Sequence, residues 1–417
     1  MSAVASPSTN IPDWVPEELV VDFDVYSPSE DAADFLEACV AIQERTPHRV
    51  GWSPHHGGHW VPTRGQDVFD IYADHERFSS NYYFIPATDD QGQLGAFTLD
   101  PPDNQPFRTF LNKGMTPKVV AAKKTFVRQL TIDLIEAFID RGDCEFISEF
   151  ADILPLTVFL DLVELPFNGR KNLGAWVGKT TREPDPAKKV EAMQNIAAYI
   201  KPYLDARRHN PGTDMLSAAS TADINGRPVT EDEALGATIH IMIAGLDTVS
   251  SMLGFVMIFL AQNPEHRRAL IDDPALISRA VNEISRRFPT VTMVRQVRKD
   301  IDYLGVTMKK GDMIALPGAF YNLDPAIYKD PLSLDYSRRV KQVLTFGNGV
   351  HRCPGAALGH AELVIVLEEW LKRIPNFSVE PDKKLPVCGG TVAKILELPL
   401  NWETQSVVAA VGGAVSS

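Results

Sequence analysis

Ten residues near the C-terminal end gather the most reactive set of side chains in the chain: Phe346-Gly347-Asn348-Gly349-Val350-His351-Arg352-Cys353-Pro354-Gly355. Gly347, Gly349 and Gly355 let a backbone turn tightly and come close to a flat partner. Such a loop can fix a cysteine sulfur with backbone N–H groups turned toward it. A thiolate held against an open apolar face is how haem iron is ligated where the O–O bond is to be split. Taken alone, Cys353 reads more plainly as a buried free cysteine in a turn. A second constellation, Ala244-Gly245-Leu246-Asp247-Thr248, lies inside the apolar run Glu231 to Gln262. A buried carboxylate is expensive unless it is paired or used. Ala244 and Gly245 leave room beside it, and Thr248 can bond back to the Ala244 carbonyl and loosen the helix. The turn is either a groove with a proton path or a threonine and an aspartate satisfying each other in a bend.

These residues need long helices to position them. Periodicity predicts helices over Asp31–Arg45, Val68–Tyr72, Pro106–Met115, Pro117–Asp140, Ile147–Val163, Lys171–Thr180 and Pro186–Arg208. Thr230 and Glu233 form a capping box that opens the Glu231–Gln262 segment. Further helices fit Pro264–Asp272, Pro274–Phe288 and Gly355–Arg373, and short strands fit Trp60–Pro62, Ile301–Val306, Met313–Leu316 and Ile395–Leu398. The fold class is mainly α with small β-sheets (α+β), without βαβ alternation. Phe78 to Thr98 has no period and reads as a long loop, a functional lid or binding segment. His240, Asp247 and Thr248 inside Glu231–Gln262 argue for a core helix rather than a membrane span.

Composition narrows the function classes. Of 417 residues, 44% are hydrophobic and 23% charged, as in ordinary globular proteins. A net charge of −13 argues against general nucleic-acid or anionic-membrane binding. Cys39, Cys144, Cys353 and Cys388 are scattered, without a zinc or disulfide framework, which fits a reducing cytoplasm. His55, His56 and His59 read as a solvated turn, since glycines surround them and no acidic or cysteine partner is adjacent. Met1–Pro16 shows no signal-peptide pattern, and the chain reads as a single domain over 1–417 with about 1–15 and 406–417 poorly ordered.

The cysteine string resembles the haem-binding signature of the cytochrome P450 family, through Phe346, Gly347, Gly349, His351, Cys353 and Gly355. Ala244-Gly245-Leu246-Asp247-Thr248 resembles the same family's distal-helix motif. Further likenesses to the bacterial camphor-hydroxylating branch are Asp100-Pro101-Pro102, Pro211-Gly212-Thr213-Asp214, Asn225-Gly226-Arg227-Pro228 and Lys309-Lys310-Gly311-Asp312. The resemblance implies the P450 fold, with haem b between the long distal helix and the helix after the cysteine loop, and Cys353 as axial thiolate. It implies that Thr248 supports dioxygen and its protonation while Asp247 relays protons. Arg295, Arg108 and His351 match cations used for haem propionates, with Asn104 as a further donor. Glu283 and Arg286 match the family's Glu-x-x-Arg pair. The usual third member is replaced by Ser333, so the triad is expected to be incomplete.

The implied activity is a monooxygenase reaction on a small hydrophobic substrate, terpenoid or norisoprenoid-like. Its electrons would come from a [2Fe–2S] ferredoxin and an NAD(P)H-dependent reductase, with Gln105 replacing an arginine of the relatives beside Arg108 in the docking face. Pocket candidates are Phe84, Phe97, Thr181, His240, Ile243, Val291 and Val392. Where the camphor branch has a ketone-binding tyrosine, this chain offers Gln91, Gly92, Gln93, Leu94 and Phe97, so camphor should be held poorly. His240 could bind a substrate oxygen, ligate iron, or bond a neighbour. The competing functions are a peroxide-driven hydroxylase, against which Asp247-Thr248 argues, and a haem-containing sensor or binding protein without turnover.

Overall fold

The computed structural model describes residues 11–29, 31, 35–381 and 383–404. Thirteen α-helices run through them: α1 Phe35–Arg45, α2 Gly65–Ala73, α3 Gln105–Gly114, α4 Pro117–Glu136, α5 Ile153–Leu162, α6 Arg170–Arg182, α7 Pro186–His209, α8 Met215–Ser220, α9 Glu231–Gln262, α10 Pro264–Asp272, α11 Ile277–Arg287, α12 Ala319–Asn322 and α13 Ala356–Arg373. Proline opens α4, α7 and α10, where its missing N–H has no intrahelical partner to lose. The capping box of Thr230 and Glu233 is present at the start of α9, with both reciprocal bonds made. At 32 residues α9 is about 48 Å long.

Sheet structure is small, as the lack of βαβ alternation requires. One sheet has the order Val50–Ser53, His59–Pro62, Met313–Pro317, Thr292–Val297, Phe78–Ser79, with Ile314 paired in parallel to Trp60 and the other pairings antiparallel. Strands Val50–Ser53 and Thr292–Val297 have no counterpart in the sequence reading. The expected Ile301–Val306 strand is a hairpin of Ile301–Tyr303 and Val306–Met308. The expected Ile395–Leu398 strand splits into Lys394–Ile395 and Pro399–Asn401. The Ile147–Val163 helix is interrupted after a π turn over Ile147–Ala151. The first residues expected in the Asp31–Arg45 helix, 32–34, and the termini 1–10 and 405–417 lie outside the described residues. Val15, within the stretch expected to fray, is buried in the core.

Buried apolar side chains form two bodies. One, around the sheet, α13 and the C-terminal half of α9, includes Met252 to Leu260; the other, around α5 to α8, includes Ala234 to Leu246. Asp247 to Ser251 bridge them on α9. Among the described residues α9 is the one helix long and apolar enough to cross a membrane, and 72% of its most apolar window is buried inside the protein. Its hydrophobicity is therefore used by packing against α5, α6, α7, α8, α10 and α13.

The His-rich turn departs from expectation. His55 and His56 have acidic partners distant in sequence, at 2.7 Å to Asp22 and Asp24 respectively, while His59 is fully buried in its strand. Those hydrogen bonds tie the N-terminal segment to the sheet.

Candidate functional site

A cavity opens at the seam between the two apolar bodies, enclosing about 1710 Å³ of space between atoms, part of it open to solvent. α9 forms one wall through His240, Ile243, Ala244, Gly245 and Thr248, and the Cys353 loop with the start of α13 forms the other.

Gly347 and Gly349 adopt φ 70° and 67°, the left-handed conformations that let the loop turn back, and the Cys353 N–H closes it on the Phe346 carbonyl at 2.8 Å. A Cβ on Gly349 would sit 2.8 Å from Ala73 Cα, so only glycine fits there. Pro354 and Gly355 lead directly into α13. The surface that Cys353 exposes faces the cavity. Burial pushes its thiol pKa up, against the backbone N–H groups of Gly355 and Ala356 and the cations Arg108 and Arg352, which favour the thiolate.

Beside the loop stand cationic and donor groups whose charge or donors go unused. Arg295, 2% exposed, donates only to carbonyls, Val294 at 2.8 Å and Tyr72 at 3.3 Å. Arg108 donates to the Arg352 carbonyl at 2.6 Å. Neither has an acidic partner within salt-bridge distance among the described residues. His351 Nδ1 donates to the Ala96 carbonyl at 3.2 Å; its Nε2 makes no hydrogen bond and lies 3.7 Å from Asp100 Oδ1, and Asn104 Nδ2 is likewise buried without a hydrogen bond. Buried guanidinium charge without a carboxylate is costly, and buried donors are rarely left orphaned. A soft thiolate that shares one cavity with Arg108, Arg295 and His351 fits haem b, sulfur for iron and cations and donors for the two propionates, while Asn104 is buried outside the cavity lining.

Opposite, the α9 turn is loosened where expected: Thr248 Oγ1 donates to the Ala244 carbonyl at 3.0 Å. Gly245 lies against Phe159, where a Cβ would come within 3.0 Å. Asp247 does not pair with Thr248. It is buried and accepts from Thr181 Oγ1 at 2.8 Å and from Arg182, with Lys394 Nζ at 3.5 Å. Lys394 also pairs with Asp152, which in turn accepts from Ser250 Oγ at 2.5 Å. Burial alone would raise the Asp247 pKa, but Arg182, Lys394 and the Thr181 hydroxyl together hold it below the usual carboxylate range. Arg182 and Lys394 escaped the sequence reading, since nothing local marks a cation that must meet an acid more than sixty residues away.

Phe97, Thr181, His240, Ile243, Val291 and Val392 all line the cavity. Phe84 does not. It is buried beneath the Lys189 ammonium, which lies 4.7 Å from its ring. Glu362 of α13 also reaches the cavity wall, a buried carboxyl that sequence gave no reason to single out.

Glu283 and Arg286 meet behind the loop, both buried, at 2.7 and 2.8 Å. The triad is complete after all: Arg338 Nε donates to Glu283 at 2.9 Å, five positions after the expected site at Ser333.

The family model described as Cytochrome P450 matches residues 186–396. A probable cytochrome P450 127A1 from Sinorhizobium fredii is 32% identical over 402 residues, covering 94% of this chain and 97% of that protein. The chain belongs to the cytochrome P450 family. Among solved structures, that of CYP101J2 superposes with a TM-score of 0.87 at 37% identity, covering 95% of this chain and all of that one. CYP101C1 gives a TM-score of 0.86 at 35% identity, with 94% of this chain and all of that one covered. Both neighbours belong to the camphor-type branch of P450s. A more distant relative, at 28% identity over 87% of this chain and 94% of its own length, is the mycinamicin IV hydroxylase/epoxidase of Micromonospora griseorubida. As a P450 the protein is a haem-thiolate monooxygenase.

Proposed function

We propose that this P450 hydroxylates a compact apolar terpenoid or norisoprenoid, with electrons delivered by a [2Fe–2S] ferredoxin and its NAD(P)H-dependent reductase. The observation that carries the reading is the single cavity lined by Cys353, by Arg108 and Arg295, which have no acidic partner among the described residues, and by the Thr248 turn of α9. In this reading Cys353 ligates iron, while Arg108, Arg295, His351 and Asn104 hold the propionates. The bound haem supplies dioxygen activation and oxygen insertion.

The protein's own share is positioning and proton supply. Ile243, Val291, Val392 and Phe97 give an apolar wall that excludes water and presents a C–H bond. Thr248, back-bonded to Ala244, holds a hydroxyl at the groove. Asp247, kept ionised by Arg182 and Lys394, accepts and passes protons from the solvent side. The likeness to the CYP101 structures supports a ferredoxin as donor, as does the exposed Val350-Arg352 edge of the cysteine loop, an apolar and cationic surface for an acidic partner. The chain acts in this reading as one cytoplasmic catalytic domain.

The test is the reduced carbon-monoxide difference spectrum of purified protein, then NADH consumption and product formation with a camphor-type ferredoxin pair. A red-shifted thiolate band, absent in Cys353→Ser, and product coupled to NADH are expected. Tight ligand binding without coupled turnover by any ferredoxin would sink the reading.

A further inference from the structure

The substrate-facing wall is apolar except for a few side chains, and almost all of these are already engaged. Thr181 donates to Asp247, Thr248 to the Ala244 carbonyl, and Thr391 to the Tyr83 carbonyl at 3.3 Å. Arg108, Arg295 and His351 stand on the haem side, and Glu362, whose Oε2 is also unbonded, belongs to α13 in the wall opposite α9. His240 is different. It lines the cavity, is only 8% exposed, and makes no hydrogen bond among the described residues.

Its ring is also fixed. His240 stacks on Phe97 with centroids 4.6 Å apart and planes 1° from parallel, so the imidazole is held edge-on rather than free to turn. Nδ1 is sealed from solvent with no partner. A proton there would be a buried donor without an acceptor, which costs more than an unfilled lone pair. The proton therefore belongs on Nε2, which is not sealed. Burial, with the nearby Arg108 and His351, holds the ring pKa down at about 3, so the imidazole stays neutral across the working pH range.

We infer that the His240 Nε2–H is the hydrogen-bond donor that orients the substrate, and that the substrate carries an acceptor oxygen, a ketone carbonyl, on an otherwise apolar skeleton. The inference rests on the monooxygenase reading above and names the substrate class within it. His240 precedes Ala244 by one helical turn, about 6 Å along α9. A ketone held there places the far side of a compact skeleton over the Ala244–Thr248 groove, so the carbon oxidised is remote from the carbonyl.

The experiment compares matched pairs in the holoenzyme by calorimetry and by spin-state titration: camphor against bornane, and β-ionone against its deoxygenated hydrocarbon. In wild type at least one ketone binds about tenfold or more tightly than its hydrocarbon, the range expected when a buried donor finds its acceptor. His240→Phe, which keeps a ring against Phe97, reduces that ratio to about one and scatters product regiochemistry, while His240→Gln restores part of the preference. Equal binding of ketone and hydrocarbon for both skeletons, or a ratio unchanged in His240→Phe, overturns the anchor while a normal thiolate band leaves the monooxygenase reading intact. A nitrogen-ligated resting spectrum that His240→Phe abolishes also overturns it, because the imidazole would then be on the iron. Absence of the thiolate band in wild type brings down the parent reading and the anchor with it.

Discussion

Two buried carboxylates in this protein, Glu283 and Asp247, are each held by two cations, and they are built for different ends. Glu283 accepts from Arg286 twice, from Arg338, and from the Asp335 N–H at 3.1 Å. Arg286 donates its remaining N–H groups to the carbonyls of Asn322, Pro331 and Ser333 at 2.9, 2.7 and 3.0 Å. The cluster is closed, and every donor ends on an anion or on backbone. Asp247 sits in an open cluster: Lys394 is shared with Asp152, Thr181 also faces the cavity, and the adjoining helical turn is loosened by Thr248. The same ion-pair chemistry fixes a loop in one place, and in the other holds an acid charged where protons must move. Closure on backbone, rather than burial or charge, separates the structural cluster from the functional one.

The harshest way to test that distinction is Arg286→Leu. It leaves Glu283 buried with one cation and frees three carbonyls, a loss of roughly 3–5 kcal/mol or more. The expected outcome is protein that neither folds nor retains haem, seen in its thermal melt and haem-to-protein ratio. Asp247→Asn should do the reverse. The amide oxygen keeps the Thr181 contact and Lys394 keeps Asp152, and Arg182, which loses its anion, still donates to Thr181 Oγ1, so the melt falls less than in Arg286→Leu, while coupled turnover falls about a hundredfold or more, the scale of a lost acid–base group. A larger solvent isotope effect on the variant would tie the loss to proton delivery. If Asp247→Asn unfolds the protein while turnover per folded haem is unchanged, the open cluster is structural too.

How much of this was legible in the sequence follows the same division. The Cys353 loop and α9 could be read because local rules write them: glycines at left-handed positions, a capping box, and a back-bonding threonine one turn from its acceptor. What could not be read depends on partners distant along the chain. Arg338 took the expected triad position, Asp22 and Asp24 supplied partners to a histidine turn that looked solvated, and Phe84 packs under Lys189 instead of lining the pocket. Strand Val50–Ser53 is set by pairing with His59–Pro62 and carries no alternating pattern, since all four of its residues are buried. A charge-pair partner or a strand neighbour is a tertiary choice among many residues of suitable type, and a single sequence does not rank them.

A third buried carboxyl sharpens the comparison with the smallest expected effect. Among the described residues Glu362 has no cationic partner and its Oε2 has no hydrogen bond; burial alone pushes its pKa from 4.5 up to about 8. It marks what Glu283 and Asp247 would become without their partners. A carboxyl whose folded pKa lies above its unfolded value is neutral in the fold while the unfolded chain ionises. The penalty is therefore absent below pH 4.5 and grows as pH rises toward 8, where the folded group ionises as well and the difference levels off. Glu362→Gln keeps the shape and removes the proton equilibrium. Its melting temperature should match wild type at pH 4 to 5 and exceed it by several degrees near pH 8, the direction that the raised pKa requires. A wild type more stable than Glu362→Gln above pH 5 would mean that Glu362 has a charge partner in the holoenzyme and belongs with the other two.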